Sequence, residues 1–306
     1  MKKQTGFTLV ELMISIVLGL IIVAAALLLF LSGQRNVAMQ KNTTDLQDDQ
    51  NFGLNYIAKN IRKANLNSPS ASLSSTSNLS GIVFGPSNVS DKLTLDTNFA
   101  TKFVTANLGA SNMRIKNGTS FSDAVNDQLV IQYRPTEIGG YDCEGKLINS
   151  TNIYILERYF VRTDANGSGT DVEKAALACA SSRYSADLTV ATALDSATAG
   201  LYGSGEIIMK RVDLFRIRFL VQGSGGKQYM TVAEYNALTT KPRILSVQLG
   251  VIARAQDTSV ERAISMTQEF SMFGQTITQK TTFPNRYIRT PIMQTVALRN
   301  ALGSRS

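Results

Sequence analysis

Histidine and tryptophan are both missing from all 306 residues of the chain. Without histidine there is no residue of the kind that most often serves as a general base or a transition-metal ligand, and without tryptophan the best stacking platform for a nucleobase is gone. Neither a G-x-S-x-G nucleophile elbow nor a Walker A glycine loop occurs. The expectation is a protein that is not an enzyme and needs no cofactor. Bases outnumber acids 31 to 23, a formal charge of +8, yet no five basic residues stand together. No track for a nucleic-acid backbone is drawn.

Cysteine is nearly absent too: Cys143 and Cys179 are the only two. With no histidine to help, they leave a tetrahedral metal site incomplete. Both lie far downstream of the N-terminal apolar run, so both fall on one side of any membrane that the run crosses. If that side is oxidising, a disulfide is the simplest reading, and closing its loop is worth about 4 kcal/mol in the chain-entropy account. Two buried thiols are the alternative.

Apolar residues make up 43% of the chain, enough for a sizeable core. The longest run, LMISIVLGLIIVAAALLLFL from Leu12 to Leu31, is broken only by Ser15 and Gly19. As a helix it measures about 30 Å, the thickness of a bilayer's hydrocarbon layer. The apolar region of a secretory signal peptide is shorter, about 7 to 15 residues. Lys2 and Lys3 precede the run, so the positive-inside rule keeps the N-terminus cytoplasmic and exports the chain beyond Leu31.

Two features go beyond a plain anchor. Gly6 and Phe7 mark the boundary between a short basic leader and the apolar run, and Glu11 is a lone carboxylate inside apolar sequence. A charge at the centre of a membrane helix costs about 3 kcal/mol. No basic residue lies between Lys3 and Arg35, so the helix offers Glu11 no cation one turn away. Its carboxylate is either partnered from outside the chain or hydrated at the bilayer edge.

The stretch GFTLVELMISIVLGLIIVAAAL, Gly6 to Leu27, resembles the type IV prepilin signature. The resemblance implies that a prepilin peptidase cuts after Gly6 and methylates the new N-terminal Phe7. Glu11 then becomes the fifth residue of the mature chain, and in such filaments it pairs with the terminal ammonium of a neighbouring subunit.

Beyond Leu31, Leu54, Ile57, Ile61 and Ala64 form one apolar stripe at spacings of 3, 4 and 3. The helix is expected to reach about Asn65, weakened at Gly33 and Gly53 and ended by Pro69. The remainder reads as mostly β, with strands expected at Gly81 to Phe84, Asp127 to Tyr133, Asn152 to Arg162, Val212 to Val221 and Leu245 to Arg254. In Ser246 to Ala255 alternation predicts one buried face. A T-x-x-E capping box, Thr231 to Glu234, predicts a short helix among the strands. The expected fold class is α+β: a long N-terminal helix on a mostly antiparallel β head. The division is a leader at 1–6, a transmembrane and fibre-core helix at 7–31, its amphipathic continuation at 32–66, and a periplasmic or extracellular head at 67–306.

Several head segments resemble the PilW family of minor pilins, with fold-level similarity to J-type minor pseudopilins. They are DQLVIQYRP (Asp127 to Pro135), YDCEGK (Tyr141 to Lys146), YILERYFVR (Tyr154 to Arg162), VDLFRIRFLV (Val212 to Val221), PRILSVQLGVIAR (Pro242 to Arg254) and TVALRN (Thr295 to Asn300). The resemblance implies an initiation complex that primes fibre assembly at the inner membrane and stays at the pilus tip. Implied partners are other minor pilins, the major pilin and a tip adhesin, in fibres of the kind that serve twitching motility and natural transformation. A minor pseudopilin of a secretion or competence apparatus is the runner-up, and a membrane-anchored exported enzyme the reading from another class. Two weaker signals remain. Asp164, Asn166, Ser168 and Gly169 match the first ligand positions of a Ca²⁺ loop, but Ala175 stands where its glutamate belongs. Arg286, Arg289 and Arg299, near Phe283 and Tyr287, make a basic aromatic cluster for DNA, against the plainer reading of a solvated strand face.

Overall fold

The computed structural model describes residues 6, 8–69, 73–95, 97–167, 169–170, 173–190, 192–194, 200–258, 268–280 and 287–301. Helix α1, Leu9–Ile61, runs unbroken for 53 residues, about 80 Å at 1.5 Å per residue. Thr8 starts it: the residue is extended (φ −77°, ψ 148°), and its hydroxyl accepts the Glu11 N–H at 3.3 Å.

The end of α1 falls four residues short of the expected Asn65, and Pro69 is not the cause. Asn65 and Asn67 both have positive φ, 64° and 51°, the left-handed conformation that asparagine tolerates better than most residues. Asn65 is held there by the head: its N–H donates to the Gln132 carbonyl, and its Oδ1 accepts the Gly81 N–H, both at 3.0 Å. Gly81 must be glycine for this approach, since a Cβ there would lie 2.2 Å from the Asn65 nitrogen. Gly53 does not interrupt the helix either. It is buried where α1 crosses Met209, whose Cε would sit 2.6 Å from an added Cβ.

Apart from a two-residue parallel pair, Leu93–Thr94 with Thr192–Ala193, the head is built from two antiparallel sheets. The strands are β1 (Ala106–Asn117), β2 (Ser120–Tyr133), β3 (Ile153–Thr163), β4 (Ala175–Ser185), β5 (Glu206–Lys210), β6 (Val212–Gly223), β7 (Gly226–Thr231), β8 (Arg243–Thr258), β9 (Glu269–Met272), β10 (Gln275–Gln279) and β11 (Tyr287–Ala297). The larger sheet has the order β9-β10-β1-β2-β3-β4-β5, and the smaller β11-β8-β6-β7. Helix α2, Val232–Ala237, follows β7 and carries the expected box: Thr231 Oγ1 accepts the Glu234 N–H, and Glu234 Oε2 accepts the Thr231 N–H. Three of the five expected strands lie within longer ones, and Asn152 to Arg162 is met by Ile153–Thr163, one residue further on. Gly81 to Phe84 is the exception and makes only a bridge, Ile82 to Ile131, because Asn88 Oδ1 takes up the N–H groups of Phe84 and Gly85.

The main core lies beneath α1, where Leu46, Leu54, Ile57 and Ile61 meet Leu129, Leu177, Phe215, Leu249 and Val251. The expected one-sided burial of Ser246 to Ala255 is corrected here. Val247, Leu249 and Val251 face the main core, but Ile252, paired with Leu214, fills a second core with Met113, Phe270 and Ile277. The strand is covered on both faces because the larger sheet folds over the smaller one.

Side chains join the sheets where strands do not. The first half of β6 has no neighbour on its open side, since β7 pairs only from Arg218 onward. Asn126 and Asp127 of β2 fill that place, accepting the N–H groups of Phe215 at 2.9 Å and Ile217 at 2.6 Å. Buried donors that would otherwise cost free energy are thereby satisfied.

Candidate functional site

The candidate site is α1 itself, which has two halves with opposite needs. In the lower half the large apolar side chains from Leu9 to Leu31 are all exposed, none less than 48%. The most apolar window of the helix is long enough to cross a membrane and has no part buried within the chain. Its cover has to come from lipid or from other helices. Glu11 lies in the first turn, where a carboxylate faces the positive end of the helix dipole. Gly6 is exposed in open space at the helix entry, and Phe7, with its expected cleavage and methylation, lies outside the described residues. The Ser15 hydroxyl donates to the Glu11 carbonyl at 2.7 Å and so adds no unsatisfied donor to the run.

The upper half is docked on the head by specific contacts. Gln50 reads both groups of Thr290, donating to its carbonyl at 2.7 Å and accepting from its hydroxyl at 2.8 Å. Asp49 pairs with Arg211 at 2.9 Å. At the helix end Asn300 donates to the carbonyls of Arg62 and Ala64, which the last turn leaves without helical partners. The C-terminal segment therefore closes on the end of the stalk.

Cys143 and Cys179 are joined, with Cα atoms 6.1 Å apart, and both are buried in the main core. The bridge fastens the loop from Tyr141 to Ile148 to β4, and Tyr56 of α1 donates to the Cys143 carbonyl at 3.0 Å. Directly behind it Glu157 is fully buried. Its two oxygens accept from Tyr133 Oη at 3.0 Å, the Cys143 N–H at 3.1 Å and Tyr159 Oη at 2.6 Å. Burial pushes its carboxyl above the usual range, while the nearby Lys63 ammonium pulls it back. Burial likewise pushes the Tyr133 and Tyr159 phenols up, so all three donors stay protonated. This cluster has the form of a structural buttress, since every donor is directed at the carboxylate. The run YILERYF contains both Glu157 and Tyr159, but nothing local says that the strand is buried on both faces.

The C-terminal basic aromatic cluster is divided: Arg299 is exposed, whereas Arg289 is not on the surface. Arg289 is 2% exposed and donates from Nε to Asp213 at 2.8 Å, and Asp213 also pairs with the buried Arg254. A carboxylate at the sheet junction has drawn both guanidinium groups inward, away from any DNA. Arg286 and Phe283 lie outside the described residues. In the loop that resembles a Ca²⁺ site, Asp164 Oδ1 accepts the Asn166 N–H at 3.0 Å, a turn closing on itself. Ser168 lies outside the described residues, and no group of three His, Cys, Asp or Glu is placed to hold a metal among those described.

Sequence reasoning missed the solvent side of the upper helix. Phe52 is 69% exposed, and its ring stacks on Tyr56 with centroids 6.3 Å apart. Its position two residues before Leu54 places it off the apolar stripe, which was the available signal.

Residues 158–300 match the family described as type IV pilus-assembly protein W, and residues 1–27 match the prokaryotic N-terminal methylation motif. The first match begins at Arg158, so DQLVIQYRP and YDCEGK fall outside it. Among solved structures, a type IV-like pilin from Thermus thermophilus is 14% identical over 63% of this chain and 85% of that one, with a TM-score of 0.30. None of the curated proteins matches the chain.

Proposed function

We propose that this chain, a type IV pilus minor pilin with the prepilin methylation motif and a C-terminal half of the pilus-assembly protein W kind, is a subunit of the complex that primes fibre assembly and stays at the tip. The observation that carries this is the division of α1. One unbroken helix joins a 23-position apolar stretch, Leu9 to Leu31, uncovered by its own chain, to a half seated by Gln50, Tyr56 and Gly53 on a large β head. Such a molecule rests in the inner membrane as a single-pass protein, N-terminus cytoplasmic and head periplasmic, and leaves it only when other apolar helices replace the lipid. The work is shape and interface, without catalysis.

Prepilin peptidase removes residues 1–6 and Phe7 receives the methyl group. Glu11 then meets the terminal ammonium of a neighbouring subunit, so that two charges enter an apolar bundle as a pair. A head of this size fits where the fibre lattice is open, at its end, in contact with other minor pilins, the major pilin and a tip adhesin. Pairwise co-purification of the full chain in detergent with each other minor pilin tests the priming role. Stable binary complexes are expected, and failure to bind any of them removes it.

A further inference from the structure

The smaller sheet ends in an open edge. β7 pairs with β6 from Gly226 to Thr231 without a shift in register, and no strand among the described residues pairs on its other side. The two-residue turn at Ser224 and Gly225 makes Gly223 and Gly226 a hydrogen-bonded pair. Alternation along an antiparallel ladder then turns the N–H and C=O groups of Lys227 and Tyr229 outward. Thr231 follows the same alternation, and its outward N–H is taken by Glu234. Gly226 to Tyr229 are exposed, and β7 has neither a bulge nor a proline, two of the usual guards of an edge. This edge is also remote from the stalk. It lies three strand spacings, about 14 Å, from β11, on which Gln50 seats α1.

The two faces of the edge differ. On the side of the main core Gln228, Met230, Leu238, Thr240 and Pro242 line a hollow of about 430 Å³ beside the strand. On the opposite face the Arg218 guanidinium lies over the Tyr229 ring, 5.1 Å from its centroid, and Lys227 stands two positions from Tyr229 on that same face. Among the described residues, neither Arg218 nor Lys227 has a carboxylate partner.

We infer that β7 is a docking edge for an extended segment of a different protein chain, which adds as a further strand with apolar residues opposite Gln228 and Met230 and acidic residues opposite Lys227 and Tyr229. The outward N–H and C=O groups call for a backbone, the hollow takes the apolar side chains, and Arg218 and Lys227 take the carboxylates. A helix cannot be that segment, because its own backbone groups are already paired. A second copy of β7 cannot be it either, since Gly226 to Thr231 contains no acid. Being remote from α1, the edge stays open when other helices surround the stalk, so this docking does not depend on how the stalk packs.

The test places a photoreactive residue at the rim of the hollow, Thr240→p-benzoylphenylalanine, in the full chain in the cells that make it. Expected is an adduct whose cross-linked peptide comes from another protein and alternates apolar and acidic residues. Tyr229→Pro removes one outward N–H and leaves the ladder to β6 whole, so it should lower the yield several-fold with little change in melting temperature. Tyr229→Ala keeps that N–H and should lower the yield less. Lys227→Glu should lower it several-fold, and Lys227→Arg should leave it unchanged. Should Tyr229→Pro fail to fold, the two Lys227 variants decide. No adduct, an adduct with a second copy of this chain or with a helical segment, equal losses from Tyr229→Pro and Tyr229→Ala, or a yield indifferent to Lys227→Glu overturns the inference.

Discussion

Tyr56 and Cys143 meet at 3.0 Å, hydroxyl to carbonyl, so the middle of the long helix is tied to the loop that the disulfide holds. Burial and the carboxylate of Glu157 push the Tyr56 phenol above its ordinary range, which keeps it a donor. Tyr56→Phe should cost about 1 kcal/mol, the ordinary worth of a neutral hydrogen bond. Replacing both cysteines by serine should cost about 2 to 5 kcal/mol. Combined, the three substitutions should cost less than the sum of the two effects, because the loop position that Tyr56 reads is set by the bridge. Urea unfolding of the detergent-solubilised full chain measures each value.

Gly81→Ala should destabilise the fold by about 1 to 3 kcal/mol, because the new methyl group meets backbone atoms of Asn65 that cannot swing aside. Gly53→Ala is a different case. The closest atom there is the flexible end of Met209, and alanine gains about 1 kcal/mol of helix propensity, so the change should be close to neutral, whereas Gly53→Leu should lift α1 from the head. Thermal melts of the three variants rank them.

The contrast between these glycines shows what the sequence makes legible. The apolar run, the stripe from Leu54 to Ile61, the Thr231 capping box and the strand around Val247 are local patterns, and each element appears where it was expected, although that strand is covered on both faces. The end of α1 is not local, since Asn65 is turned left-handed by Gln132 and Gly81, which are far away in sequence. The fate of Arg289 likewise depended on Asp213, 76 positions earlier, and no spacing rule pairs them. The apolar run upstream of both cysteines is the only local reason to expect them to pair, while their support by Glu157 and Tyr56 comes from tertiary contacts.

Asp127 should make stability depend on pH. Burial raises its carboxyl to about 6 from the ordinary 3.8, although Arg216 and the Ile217 N–H pull it back. The raised folded value favours the neutral form, so this stabilisation is complete below about pH 4 and is lost as pH rises through about 6, a difference of up to roughly 3 kcal/mol. Glu157 adds in the same direction. Urea midpoints at pH 4.5 and 7 should therefore fall with pH, and Asp127→Asn should flatten that slope. Equal slopes in the two proteins would refute the assignment.

Asp213 holds two buried guanidinium groups, Arg254 and Arg289, at the junction of the sheets. Asp213→Ala leaves both cations without their shared carboxylate and should cost about 3 to 5 kcal/mol. Replacing the whole trio by apolar residues of similar volume should cost much less. Denaturation of the single and triple variants separates the two outcomes.

Glu11 should be dispensable for processing and needed for incorporation. Glu11→Ala removes a charge that is costly in lipid, so the protein should accumulate in the membrane, cut and methylated, and be missing from sheared fibres. Glu11→Asp should restore incorporation in part. Immunoblots of membrane and fibre fractions read both.

The central claim is that α1 belongs to a processed fibre subunit, and intact-mass measurement of the full chain purified from cells with an active prepilin peptidase tests it most directly. The account predicts a chain that begins at Phe7, lacks residues 1–6 and carries one added methyl group. A chain that retains Met1 through Gly6 with an unmodified N-terminus would contradict it.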